Sequence, residues 1–221
     1  MSTTIRTIER PPQQHTDQPA PLLLLLHGYG SNEHDLMGLA PYLDPRLHIV
    51  SARAIYNLGD FGDFESYAWY HLYGTPGNLR TDETSCDHAL KVLTSLVRTL
   101  PARTGTDPAR TFILGFSQGA VMTLALALTA PELVRGIIPV SGYLEERIAA
   151  KSQTSGLAGR DILAIHGTED DLIPVTAGRR IRDFLQTTPA QWAYEEYPVG
   201  HGIHADAVYS IARWLSARVG A

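Results

Sequence analysis

The chain has 221 residues, of which 44% are hydrophobic and 19% charged, with a formal charge of −5. That length suits one substantial core, and the balance excludes a disordered or fibrous chain and a basic nucleic-acid-binding surface. The longest apolar run, five leucines at 22–26, falls far below the roughly 20 residues of a membrane span, so stable membrane insertion is not expected. The single cysteine, Cys86, permits no internal disulfide, and residues 1–18 lack an apolar signal core. A cytoplasmic protein is the expectation.

Residues 3–10 alternate weakly and suit an edge strand, and the proline- and glutamine-rich stretch to residue 21 reads as a loop. The leucines at 22–26 form a strand buried on both faces, ending at His27-Gly28. Asn32 suits a helix cap, with a helix through Leu36 and Leu39 to about Pro41. A second buried strand spans 47–51. Residues 52–78 carry many aromatics among glycines and read as a long excursion of loops and short elements. An aspartate or threonine near Thr81 opens a helix over 87–100, with Ala89, Leu90, Leu93, Leu96, Val97 and Leu100 on one side.

A third strand spans 111–114, then a tight turn to Gly119 and an apolar helix over 120–129. Further strands are expected at 136–140, 162–165 and 191–197. Helices are expected from Pro174 to about Gln186 and over 203–217. Strands alternating with helices imply one α/β domain with a mostly parallel sheet of about seven strands and helices on both faces. No repeat or linker divides it.

Gly115-Phe116-Ser117-Gln118-Gly119 fits G-x-S-x-G. The string alone is a weak signal, but it follows an apolar strand and precedes a helix, the setting of a nucleophile elbow. The glycines admit close approach of neighbouring backbone, and Ser117 then stands above the sheet edge at the positive end of a helix. A plain strand-to-helix turn is the bland alternative.

Serine needs a base, and the base needs orienting. His166-Gly167-Thr168-Glu169-Asp170-Asp171 follows a buried strand and offers three acids at the same sheet edge. Gly200-His201-Gly202-Ile203-His204 lies between the last strand and the last helix. His201, flanked by glycines in the loop, suits the base, whereas His204 reads as a helix-terminal residue. These two histidines have no obvious third partner for a metal, so no metal and no cofactor are expected. Two backbone N–H groups should meet a tetrahedral oxyanion: that of Gln118, after the nucleophile, and that of Tyr29 in the His27-Gly28-Tyr29-Gly30 turn.

Taken together these stretches resemble the phospholipase/carboxylesterase family of α/β-hydrolases. The matching segments are Leu26 to Leu36, Ala68-Trp69-Tyr70, Gly115 to Ala120, His166 to Asp170 with Ile173-Pro174, and Tyr197 to His201, in family order along nearly the whole chain. The resemblance implies an α/β-hydrolase fold without a separate lid domain. It implies a triad of Ser117, Asp170 and His201, with Tyr29 and Gln118 as oxyanion donors. It also implies a monomer or homodimer acting on a small-molecule ester. Gly202-Ile203-His204 departs from the usual family pattern after the histidine.

Trp69, Tyr70, Leu72, Phe61, Leu172 and Ile173 are candidate walls of an apolar substrate pocket, with ordinary core packing as the competing reading. Such a pocket favours short or medium acyl chains. A thioesterase or lysophospholipase would use the same triad. A non-catalytic binding protein on this scaffold would be expected to have lost a triad member, and none is missing.

Overall fold

The structure is a computed structural model that describes residues 5–14, 16–61, 64–75 and 78–220. Its elements in chain order are β1 (Thr7–Arg10), β2 (Pro21–Leu26), β3 (His48–Ala52), β4 (Tyr56–Phe61), β5 (Phe64–Ala68), β6 (Leu72–Thr75), β7 (Asn78–Thr81), α1 (Glu83–Thr104), β8 (Asp107–Phe116), α2 (Gln118–Thr129), β9 (Gly136–Val140), α3 (Glu146–Lys151), β10 (Asp161–Gly167), α4 (Val175–Leu185), β11 (Gln191–Tyr197) and α5 (Ala205–Val219). Seven strands form one sheet in the order β1-β3-β2-β8-β9-β10-β11. β1 pairs antiparallel with β3, and the other strands run parallel.

The leucine run explains the layering. Successive side chains of a strand point to opposite faces. Leu22, Leu24 and Leu26 enter one core with α1, α2 and α4, through Leu93, Val121 and Ile181. Leu23 and Leu25 enter the other, against α5 and the 3-10 segment Leu36–Tyr42, through Ile211 and Leu36. A strand covered on both faces has no solvent side, which is why it reads as an unbroken apolar run.

Several boundaries differ from the sequence expectation. The helix expected at 87–100 spans Glu83–Thr104, because the Asp82 carboxylate caps it, accepting from Ser85 N–H at 2.8 Å. It stops at Gly105, whose φ of 67° is the left-handed conformation of a helix end. The helix expected from Asn32 is a 3-10 segment that starts only at Leu36, with Pro41 inside it. Asn32 does not cap it. Its Oδ1 accepts from His34 N–H and its Nδ2 donates to Glu65 O, so the side chain joins its own loop to β5. The strand expected at 111–114 is longer, Asp107–Phe116, with a register shift against β2 at Pro21/Leu22.

The excursion after β3 holds two two-stranded antiparallel sheets, β4–β5 and β6–β7. The short helix α3 was not expected. Of the edge strand expected at 3–10, residues 3 and 4 lie outside the described residues, and pairing begins at Thr7. Among the described residues no helix is long and apolar enough to cross a membrane.

The chain leaves β2 toward β3 on one side and leaves β8 toward β9 on the other. The carboxyl ends of β2 and β8 therefore flank a topological switch point, the crevice where open α/β sheets bind ligands. The 27–31 turn and Ser117 both emerge there.

Candidate active site

Ser117 sits between β8 and α2 with φ 54° and ψ −117°, a strained conformation for a residue with a side chain. The strain is held by packing. A Cβ on Gly115 would overlap the Gly119 carbonyl and the Thr123 hydroxyl, and one on Gly119 would overlap the Leu26 and His27 carbonyls. Ser117 N–H donates to Val140 O at 2.9 Å, which ties the turn to β9.

The three side chains that the resemblance singled out meet at this rim. His201 Nε2 lies 2.9 Å from Ser117 Oγ, and His201 Nδ1 lies 2.7 Å from Asp170 Oδ2. A carboxylate can only accept, so the Nδ1 facing it carries the hydrogen and Nε2 is left to take the serine proton. Asp170 is buried, and its Oδ1 accepts from the N–H groups of Leu172 and Ile173 at 3.1 and 2.8 Å. Its neighbours Glu169 and Asp171 are exposed, so of the three candidate acids only Asp170 turns inward. His204 stands apart from the serine as the N-cap of α5, its Nδ1 accepting from Asp206 N–H at 3.2 Å, with its ring stacked on Tyr197.

The expected oxyanion donors are placed by two turns. Gln118 opens α2, so its N–H has no intrahelical acceptor. Among the described residues Tyr29 N–H also has no protein acceptor. The turn passes close over the elbow: a Cβ on Gly28 would lie 3.3 Å from Ser117 Cβ.

Buried groups that sequence reasoning missed support both turns. The Gln118 side chain accepts from Trp69 N–H at 2.7 Å and donates to Tyr70 O at 2.8 Å. Trp69 Nε1 donates to His27 O at 3.0 Å. His27 is fully buried; its Nε2 accepts from Ala54 N–H, which leaves Nδ1–H to donate to Gly28 O. Burial lowers its pKa and keeps the ring neutral. His166 is buried beneath the acid loop, with Nε2 2.8 Å from Ile173 O. The only sequence signal for these contacts was the placing of polar residues beside the loop motifs.

The expected pocket walls divide. Trp69 and Tyr70 have no exposed surface and belong to the core, with Tyr70 O–H bonded to Tyr143 O–H, so neither walls an open pocket. Their aromatic bulk fills the core cluster that also holds Leu26, Cys86 and Val121. Leu72 is half-buried and packs on the same core. Leu172 and Ile173 stand on the acid loop, exposed and half-buried respectively. Phe61 ends β4, and its side chain lies outside the described residues. Among the described residues no group of three or more His, Cys, Asp or Glu side chains is arranged to hold a metal ion.

A parallel sheet carrying serine, imidazole and carboxylate in hydrogen-bond succession beyond its strand ends defines an α/β-hydrolase, here of the carboxylic ester hydrolase class. Residues 8–219 match the phospholipase/carboxylesterase family model, and the chain belongs to that family. It is 31% identical over 156 residues to the carboxylesterase SOBER1 of Arabidopsis thaliana, covering 69% of this chain and 68% of that one. It is 26% identical to acyl-protein thioesterase 1 of Kluyveromyces lactis, over 76% of this chain and 78% of the relative. Among solved structures, esterase PE8 superposes with a TM-score of 0.80 at 27% identity, covering 97% of this chain and 99% of that one.

Proposed function

We propose that the protein is a serine carboxylesterase that hydrolyses short- to medium-chain carboxylic esters through an acyl-enzyme on Ser117. The observation that carries this reading is the bridging position of His201, with one ring nitrogen on Asp170 and the other on Ser117. Ser117 Oγ attacks the ester carbonyl as its proton passes to His201 Nε2, and Asp170 stabilises the imidazolium and fixes its tautomer. The N–H groups of Tyr29 and Gln118 hold the oxyanion, each donor being worth about 3 kcal/mol in such sites. The carbonyl–oxygen bond then breaks, the alcohol leaves with the proton from His201, and water repeats the sequence to release the acid and free Ser117. Every reacting group belongs to the chain, so the reading needs no cofactor.

Leu172 and Ile173 follow Asp170 on the acid loop and offer exposed and half-buried apolar surface there, which supports a modest acyl chain. The lone thiol Cys86 is buried, and its pKa is pushed up to about 12 by burial, so the reading needs no oxidising compartment and suits a cytoplasmic enzyme. A monomer or homodimer is sufficient, because all three reacting side chains come from one chain.

A second reading, thioester hydrolysis, is favoured by the likeness to a protein named acyl-protein thioesterase 1. Rates on p-nitrophenyl esters of acetate through laurate, beside matched thioesters and a lysolipid, separate the readings. The expected optimum lies at butyrate to octanoate, with oxygen esters preferred and a Ser117→Ala variant inactive. Full activity in that variant, or failure of a fluorophosphonate to label Ser117, would sink the proposal.

A further inference from the structure

Glu33 is a carboxylate without exposed surface, four residues after Tyr29, and the mechanism above does not use it. Arg53, just past the end of β3, grips it with two bonds, Nε at 2.6 Å and Nη2 at 2.8 Å. The same guanidinium donates to Tyr67 O–H at 2.8 Å, pairs with Glu65 at 2.7 Å and lies over the Tyr67 ring. Arg6 adds a more exposed contact to Glu33 at 3.2 Å. Burial alone would raise the Glu33 pKa, but the Arg53 hydrogen bonds and charge, with that of Arg6, outweigh it and hold the group below the ordinary carboxylate value.

The strand that carries Glu65 and Tyr67 is bonded to the oxyanion loop along its length. Gly30 N–H donates to Tyr67 O and Tyr67 N–H to Ser31 O, both at 2.9 Å. Ser66 O–H donates to Gly30 O at 3.1 Å, and the Asn32 amide donates to Glu65 O at 3.0 Å. Just beyond β5, Trp69 and Tyr70 hold the Gln118 side chain. One stretch, 65–70, therefore bonds to the backbone on the C-terminal side of Tyr29 and to the side chain of Gln118. It is itself secured to the sheet through Arg53. A buried ion pair is weak evidence for stability, since apolar replacements often do as well, but a bidentate guanidinium fork fixes direction strictly.

We propose that Arg53 and Glu33 are positioning residues for the oxyanion hole: their buried ion pair, acting with β5, holds the Tyr29 N–H in register with that of Gln118. The inference rests on the ester-hydrolase reading and deepens it. Neither residue touches substrate. Their effect is on where one N–H points when the carbonyl oxygen becomes an anion, so it is felt in the transition state and little in substrate binding.

The test compares wild type with Arg53→Lys, Glu33→Gln and Ser66→Ala, using p-nitrophenyl butyrate turnover, melting temperature and inhibition by a propyl trifluoromethyl ketone. That ketone adds to the serine and presents an oxyanion, whereas its fluorine-free counterpart binds without doing so. Arg53→Lys keeps the charge but loses the fork, and Ser66→Ala loosens the same loop without disturbing a buried charge.

The expected result for the first two variants is a kcat lowered about 10- to 100-fold with KM within about twofold. Trifluoromethyl ketone affinity should fall by the same factor, with affinity for the fluorine-free ketone unchanged. Ser66→Ala should show a smaller loss of the same kind, which decides the matter if the charge variants do not fold. Unchanged kcat and trifluoromethyl ketone affinity beside a lowered melting temperature would overturn the proposal, as would a raised KM at constant kcat. An inactive wild type would instead overturn the functional reading, and this inference with it.

Discussion

The ring of Phe116 rests against the imidazole of His201, with centroids 5.0 Å apart and planes tilted by 43°. Phe116 is the residue before the nucleophile, so one turn supplies both the serine and a wall for its base. Such an aromatic contact is worth about 0.5–1.5 kcal/mol beyond the area it buries. Phe116→Leu, which keeps most of the apolar bulk, is expected to lower kcat roughly 3- to 10-fold through a less firmly placed imidazole. Steady-state kinetics beside a melting curve checks this, and a loss of stability with unchanged kcat would refute it.

The acid loop makes a sharper prediction, because its adjacent aspartates face opposite ways. Asp170→Asn removes the acceptor that fixes the His201 tautomer and is expected to lower kcat by about 10³- to 10⁴-fold. Asp171→Asn changes an exposed side chain and should stay within about twofold of wild type. Parallel turnover assays on folded protein, confirmed by circular dichroism, distinguish them. Comparable losses in both would mean that the carboxylate at 170 is not the orienting group.

Two glycines near the nucleophile should differ in kind. Gly119→Ala forces a methyl group into the backbone at the end of β2, which cannot give way, so failure to accumulate folded protein is expected. In Gly28→Ala the new carbon would stand 3.3 Å from Ser117 Cβ, a distance that a shift of a few tenths of an ångström relieves. That variant should fold with a near-normal melting temperature and lose roughly tenfold in kcat, because the oxyanion turn is displaced. Full activity in Gly28→Ala would argue against a tight fit between turn and elbow.

Acid stability should report on Asp44. The Arg46 hydrogen bonds outweigh burial and hold the Asp44 carboxyl down from its ordinary 3.8 to about 2. A carboxylate with a lowered folded-state pKa contributes fully above its unfolded value and loses that contribution as pH falls through the folded one. Asp44→Asn is therefore expected to cost about 2 kcal/mol at pH 7, the difference shrinking below pH 4 and vanishing only as pH falls below about 2. Denaturant titrations of both proteins over that range test it, and a difference independent of pH would rule out the ionised pair as its source.

Much of the fold and the reacting residues was legible because each left a local mark. The leucines of β2 announce a strand covered on both faces. The glycines at 115 and 119 announce the close approach that the elbow demands. Glycines on either side of His201 announce a loop. These are short-range constraints, and a linear string records short-range constraints well. Boundaries were less legible where a distant partner decided them, as when Asn32 bonds Glu65 O and the expected helix starts only at Leu36.

The sequence by itself determined the α/β layering, the family and the serine–histidine pair, because periodicity and turn chemistry are properties of neighbouring residues. Only the tertiary structure decided that Asp170 turns inward between two exposed acids, that Trp69 and Tyr70 fill the core, and that Arg53 reaches Glu33 under the 28–33 turn. Each of those depends on which distant segments share a space, and burial and hydrogen-bond direction are set by that shared space, not by the identity of adjacent residues.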